Sequence, residues 1–557
     1  MVGAQDASVA PGVRRSVLGI AAALLALVLV GGWLLLYQAE AAAVARRYVR
    51  ALAPLSLPFK AQTLVMQRAA LQSAGILPIY GTSELYCCGA PFNAGMFYAQ
   101  APSGFTVFNV GYPLTEDLFF AETFGALGHA LAGRKVVVSD SPWFVNPGGI
   151  GALTYAHTYS QEVATVFVFD APVPQALRRL VAERMLAFPS TLKGDVVLQT
   201  GLNLLRQGTW RGDVGYALLD PLGRVIAWTT EVRDSYATVA EIASLVHPVP
   251  RPPAPPPSSV PTSAGHAAAR SVAAPHRQVT VARTATAITV TARFTLPRPR
   301  AALAALGLTL PSAAALARER TAKGLQAAVP VRPQALDWNA LLRSADGLAA
   351  AAASSNPFGI SNTFWGSCLD VWPAKDCQSA LRLYRAGASN RAGTVFSYPT
   401  AWAQGVATCP CWTDLELEFA VLDAVGAQPL AWLQPLQGRY VDYTPYSAPA
   451  RALIYDRYLA IAQAAGVPAT TFQTHDSDPM FEGSFGHFTP RGWIYADRLL
   501  NLFWHGQLGE VASELAAGGS VGSLFPVSLD CPRPYDCAGV SVLQPPPSWG
   551  PVTALHW

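Results

Sequence analysis

Ile76-Leu77-Pro78-Ile79-Tyr80-Gly81-Thr82-Ser83-Glu84 is the stretch on which the fold of this chain turns. Its apolar and aromatic run is too short for a helix and reads as a strand buried on both faces. Gly81 then permits a tight turn, and Ser83 stands just past the strand's carboxyl end. Outward from it, Phe105 to Val110 and Lys135 to Val138 read as further strands, with helical spacing from Glu116 to Ala132 between them. A second set follows far downstream: Pro429 to Leu433 as strand, Ala448 to Ala465 as helix, Thr470 to Gln473 as strand and Pro490 to Trp504 as helix. Strands alternating with helices of this length predict an α/β protein, a parallel sheet sandwiched between helices.

The two sets lie in residues 76–204 and 356–510, so the sheet is expected to be split in sequence by an inserted cap or side region, 205–355. Within that region His247 to Arg277 is rich in Pro, Ala and Ser and reads as an exposed linker, and Gln278 to Leu296 alternates with a strand's period. Residues 511–557 form a carboxyl-terminal extension.

The 557 residues are 51% hydrophobic and only 13% charged, with a net charge of +4. That excludes a disordered or coiled-coil chain and gives no basic field for nucleic acid. The mean hydropathy of +0.26 is raised partly by Ser16 to Tyr37, which contains no charge. As a helix it spans about 33 Å, enough for a bilayer core. A cleavable signal peptide is the rival reading, but its apolar region normally runs only about 7–15 residues. Residues 1–15 are then a cytoplasmic tail, 16–37 a membrane anchor and 38–75 a helical stalk. Arg14 and Arg15 before the span are balanced by Arg46, Arg47 and Arg50 after it, so orientation rests on the cysteines. All eight follow the anchor. Cys368 with Cys377, and Cys531 with Cys537, flank short polar stretches and read as disulfides of an oxidising compartment. Cys409-Pro410-Cys411 has no matching His cluster for a metal. The body is therefore placed outside the cytoplasmic membrane.

A serine at the carboxyl edge of a parallel sheet is a candidate nucleophile, because ligands of open α/β sheets bind there. The plainer reading of Ser83 is a helix N-cap. Among nine histidines, His247, His266 and His276 lie in or beside the linker, and His556 is next to last. His129 and His505 sit at helix ends, and His157 and His475 have no recognisable setting. His487, in Gly483-Ser484-Phe485-Gly486-His487-Phe488, precedes a helix in a loop of small residues and is the best-placed base.

Together these segments resemble the DltD family, proteins of teichoic-acid D-alanylation with an SGNH-hydrolase-like fold. Gly81-Thr82-Ser83-Glu84 resembles the family's Gly-Ser-Ser-Glu, and His487 followed by Gly492-Trp493 its Asp-x-x-His and Gly-Trp. Asn109-Val110-Gly111, Ser141-Pro142-Trp143-Phe144, Trp412-Thr413-Asp414-Leu415 and Gly438-Arg439-Tyr440-Val441-Asp442-Tyr443 follow in the family's order. The resemblance implies that Ser83 attacks an activated acyl group with His487 as base, and that the N–H groups of Ser83 and Gly111 form the oxyanion hole. Trp143, Trp412, Tyr440 and Tyr443 would line a polymer groove. It implies no cofactor or metal, and as partners a membrane-bound O-acyltransferase, an acyl carrier system and an envelope polymer acceptor. One position departs: Ser484 stands where the family has Asp, three residues before the histidine. Ser484 itself, Glu482, Asp476 and Asp478 are the candidates for orienting His487. An esterase or thioesterase of the same fold, and a non-catalytic scaffold of an acylation complex, are the alternative readings.

Overall fold

The structure is a computed structural model. It describes residues 11–86, 92–246, 336–355, 374–386 and 399–508, apart from 437, 443, 447, 477, 479–480 and 483–486. Five strands, β1 (Ile76–Gly81), β2 (Thr106–Gly111), β3 (Lys135–Asp140), β4 (Gln428–Leu433) and β5 (Ala469–Thr470), form one sheet. Its order is β2-β1-β3-β4-β5, and every pairing is parallel. Both sequence halves thus build one α/β sheet, as expected from the alternating pattern. β1 and β2 are buried along their whole length, which is why they read as continuous apolar runs. The chain leaves β1 to one side for β2 and returns to the other side for β3. That makes the carboxyl end of β1 a switch point, where a crevice opens in sheets of this type. Gly81 is in register with Gly111 on one side and Ser139 on the other, and Ser139 with Trp432 beyond.

One face of the sheet is covered by a core that includes Leu77, Ile79, Trp432, Phe472, Phe481, Phe488 and Trp493. Elsewhere the helices Asp117–Leu127 and Cys411–Ala424 pack against each other. The first of these accounts for most of the helix expected over 116–132; Gly128 then adopts a positive φ of 51° and the chain tightens into a 3-10 turn, Gly128–Leu131.

The amino-terminal helix, Pro11–Leu52, contains a segment long and apolar enough to cross a membrane. The stalk expected over 38–75 continues it only as far as Leu52. Pro54 and Pro58 interrupt the helix, and two shorter ones follow, Phe59–Gln62 and Leu64–Gln72. The buried Lys60 ammonium donates to the carbonyls of Leu52, Ala53 and Leu55 at 3.3, 2.9 and 2.7 Å, satisfying groups freed where the helix ends. The strand expected at 470–473 is also shorter. Phe472 takes a left-handed φ of 48°, which ends the extended run after Thr470.

The chain divides into two compact units, Met1–Val239 with Lys323–Trp557, and Ala240–Ala322. Of the second, the described part is the end of the helix Trp210–Val246. Much of the region expected as an insertion packs within the first unit. Glu231 pairs with Arg68 at 2.5 Å, Asp234 accepts from Val65 N–H at 3.0 Å, and Asp346 pairs with Arg491 at 2.6 Å. The linker 247–277, the strands expected at 278–296 and the extension beyond 508 lie outside the described residues. So do Cys368, Cys531 and Cys537, although Cys377 is disulfide-bonded. Cys409 and Cys411 are joined to each other, with Cα atoms 5.2 Å apart, so they are not a metal pair.

The core carries carboxyls that are expected to make stability fall with pH. Glu122 accepts the Tyr155 hydroxyl at 2.7 Å. Burial pushes its pKa up to about 8, with the Tyr155 bond opposing and Asp414 adding to the rise. The folded chain therefore holds this proton more tightly than the unfolded chain does, so the contribution is complete below the unfolded value and lost as pH rises through the folded one. Glu122→Gln should keep the Tyr155 bond and flatten the fall in melting temperature between about pH 5 and 8. An unchanged profile would assign the pH dependence to other groups.

Candidate active site

Glycine is required where β1 turns. A Cβ on Gly81 would lie 2.4 Å from Glu84 Oε1 and 2.8 Å from Leu85 Cδ1. Glu84 folds back because Thr82 holds it twice: the Thr82 N–H donates to Oε1 at 2.8 Å and the Thr82 hydroxyl to Oε2 at 2.8 Å. The Ser139 hydroxyl, a neighbour on β3, also holds the Glu84 pKa down. Ser139 Oγ in turn accepts from Trp432 Nε1 at 2.7 Å and Gln434 Nε2 at 3.4 Å. The turn thus sits in register with a buried polar cluster that links β3 to β4. Burial raises the Glu84 pKa, against the pull of the bonds donated to it. Asn93 fastens the other side, accepting from Asn109 Nδ2 on β2 at 3.2 Å.

The second element is the loop between β5 and the last described helix, Pro490–Trp504. Glu482 and Phe488 form an antiparallel bridge, and Thr489 N–H donates to Phe481 O at 3.0 Å. Thr489 Oγ1 then caps the helix by accepting from Gly492 N–H at 3.4 Å. Gly492 is needed because a Cβ there would lie 2.5 Å from Phe481 O. Phe488 packs edge-on against Phe481 and Trp493, with centroids 5.6 and 5.3 Å away. This pinched loop presents His487 to the turn after β1.

Ser83 Oγ and His487 Nε2 are 2.9 Å apart, across 404 residues of sequence. Both side chains are half-buried. The distance is that of a nucleophile and its general base. This geometry would allow an imidazole with Nε2 unprotonated to accept the serine proton as Oγ attacks a carbonyl. Among the described histidines no other meets Ser83. His475 stacks on Phe481 with centroids 4.1 Å apart, and His157 stacks on Tyr112 at 5.1 Å.

The remaining candidates divide. Gly111 lies beside Gly81 and against the turn, for a Cβ there would fall 2.5 Å from Leu85 Cβ and 2.9 Å from Thr82 O. Gly111→Ala is therefore expected to push the turn off its bed, costing about 1–3 kcal/mol of stability and about 100-fold in activity. Melting curves with rate measurements test it, and wild-type rates would contradict it. The Ser83 N–H, expected in the oxyanion hole, donates to Thr82 Oγ1. Glu482 is fully buried and neither of its carboxylate oxygens makes a hydrogen bond, so it is not hydrogen-bonded to His487. Asp476 pairs with Arg451 at 2.7 Å, and Asp478 with Arg491 at 2.9 Å. Ser484 lies outside the described residues. Trp412 is buried and donates to the Val406 carbonyl at 2.7 Å, so it belongs to the core and lines no groove. Trp143 is half-buried and meets Tyr446 edge-on at 5.3 Å; the side chains of Tyr440 and Tyr443 lie outside the described residues.

Sequence reading missed the support beneath Ser83. Ser139 and Trp432 come from separate strands, and only the sheet register joins them beside Gly81. Glu84 itself stood in the quoted motif.

The chain matches the family described as DltD protein over residues 57–505. It is 21% identical over 457 residues to Protein DltD of Bacillus subtilis (strain 168), covering 82% of this chain and 88% of that protein. Protein DltD of Lacticaseibacillus rhamnosus is 28% identical over 154 residues, 24% of this chain and 36% of that protein. The family match begins before the turn that carries Ser83, runs through both halves of the sheet and ends beyond His487, so the chain belongs to the DltD family.

Proposed function

We propose that this protein is a membrane-anchored acyl transferase that esterifies hydroxyl groups of a cell-envelope polymer. The observation that carries the reading is the 2.9 Å approach of Ser83 Oγ to His487 Nε2 at the switch point of the sheet. The DltD family takes part in D-alanylation of teichoic acids, which favours a D-alanyl or similar small acyl group. Ser83 Oγ attacks the activated carbonyl while His487 Nε2 takes its proton, and the donor's leaving group departs with that proton. A polymer hydroxyl then gives its proton to His487 and attacks the ester, and the proton returns to Ser83. No net charge or electron is transferred.

The sheet, with its serine after the first strand and its histidine before the last described helix, supports an SGNH-hydrolase-like fold. The apolar segment of the first helix supports a single anchor, and the disulfides support a body outside the cytoplasmic membrane. A membrane-bound O-acyltransferase and an acyl carrier system would deliver the donor. The test is the alkali-labile ester content of the envelope in a deletion strain. Wild-type protein should restore it and Ser83→Ala should not; full restoration by Ser83→Ala would leave a scaffold in place of an enzyme.

A further inference from the structure

Behind the turn, three carboxyls from three elements converge. Asp140 ends β3, Asp117 opens the helix Asp117–Leu127, and Glu418 lies within the helix Cys411–Ala424. Each offers a carboxylate oxygen, and these oxygens all lie within 4.8 Å of one another. Glu418 is completely buried, and neither of its oxygens accepts a hydrogen bond. Asp140 is nearly so: its Oδ2 accepts from the Tyr458 hydroxyl at 2.6 Å, while Oδ1 accepts nothing. Burying carboxylates without donors or a counter-charge is costly. Arg184, on a neighbouring helix, is committed to Asp414 by bonds of 2.6 and 2.8 Å.

We propose that Asp117, Asp140 and Glu418 form a binding site for a hard divalent cation, Ca2+ or Mg2+. The donor set is all oxygen, with neither thiolate nor imidazole, which selects hard cations over zinc or copper. Three carboxylates supply the first ligands, and water would complete the shell. Asp117 is the least buried of the three. Burial also pushes Asp140 up to about 7, with Tyr458 opposing and Glu84 adding to the rise; Glu418 and Asp117 are raised too, as carboxyls held together without a counter-ion should be. The ion would fix the end of β3 against the two helices. Ser139, in register with Gly81 at the base of the turn that carries Ser83, is the residue before Asp140. The site is thus a positioning element, separate from the Ser83–His487 pair.

Binding is tested without reference to activity. Full-length protein in detergent, stripped with EDTA, is titrated with Tb3+ under tyrosine excitation, because the Tyr458 ring adjoins the site. Sensitised emission that Ca2+ displaces is expected, and millimolar Ca2+ or Mg2+ should raise the melting temperature of the stripped protein by about 3–5 °C. Both responses should vanish in Glu418→Gln and in the partly exposed Asp117→Asn, which is the milder change to the core. No emission and no thermal response in wild type would overturn the site and leave carboxyls that share protons. A response that survives in both variants would overturn it as well, by placing the ion elsewhere.

Discussion

Ser83→Ala is expected to lower acyl transfer by about 10⁴-fold or more while the protein remains folded. Ser83 Oγ bonds His487 and lies 3.5 Å from Thr82 Oγ1, and the turn is held instead by the Thr82–Glu84 bonds, which alanine leaves intact. His487→Ala should lose nearly as much. The double substitution should cost little beyond either single one, because the two side chains act as one unit in moving a single proton. Circular dichroism and melting temperature of both variants should match wild type. A residual rate near wild type in Ser83→Ala would remove the nucleophile assignment, whereas additive losses would mean that the two residues act separately.

Arg451→Ala is expected to be the most damaging change to stability, by about 3–5 kcal/mol. Arg451 is 1% exposed, and its guanidinium joins its own helix to two other segments. It donates to Asp442 Oδ1 at 2.8 Å, to Asp476 Oδ2 at 2.7 Å and to the Tyr446 carbonyl at 2.5 Å. Removing it takes the cation from two largely buried carboxylates. Gly438 belongs to the same junction, since its N–H donates to Asp476 O at 2.6 Å and a Cβ there would lie 2.3 Å from Asp476 Oδ1. The Gly438…Asp442 motif therefore fastens the start of the segment that leads to His487. Activity should fall along with melting temperature. Adding Asp442→Asn and Asp476→Asn to Arg451→Met should recover much of the stability, because no buried charge is then left alone. A melting temperature unchanged by Arg451→Ala would show that this junction bears little load.

Most of the sheet was legible because its strands are short, apolar and bounded by turn residues. β1 and the turn after it could be read from one run, Ile76 to Glu84. The break in the stalk was not read: Pro54 and Pro58 mark it, but an Ala- and Leu-rich composition favoured one helix. Phe472 was not legible: a left-handed aromatic is imposed by packing against Trp432, Phe481 and Phe488, not by local preference. In the site, Ser83 could be proposed from its place after a strand, and His487 only from its loop and from family resemblance. What joins them is the parallel sheet, which sets β1 and the loop after β5 at the same edge. The carboxyls at 117, 140 and 418 gave no signal at all, because each stands in a different element and only folding makes them neighbours.

The most direct measurement is the mass of the protein after rapid quenching with an activated acyl donor. An added acyl mass on the peptide containing Ser83 is expected, absent from Ser83→Ala and discharged when acceptor polymer is supplied. Transfer to the polymer at the wild-type rate with Ser83 never acylated would contradict the mechanism.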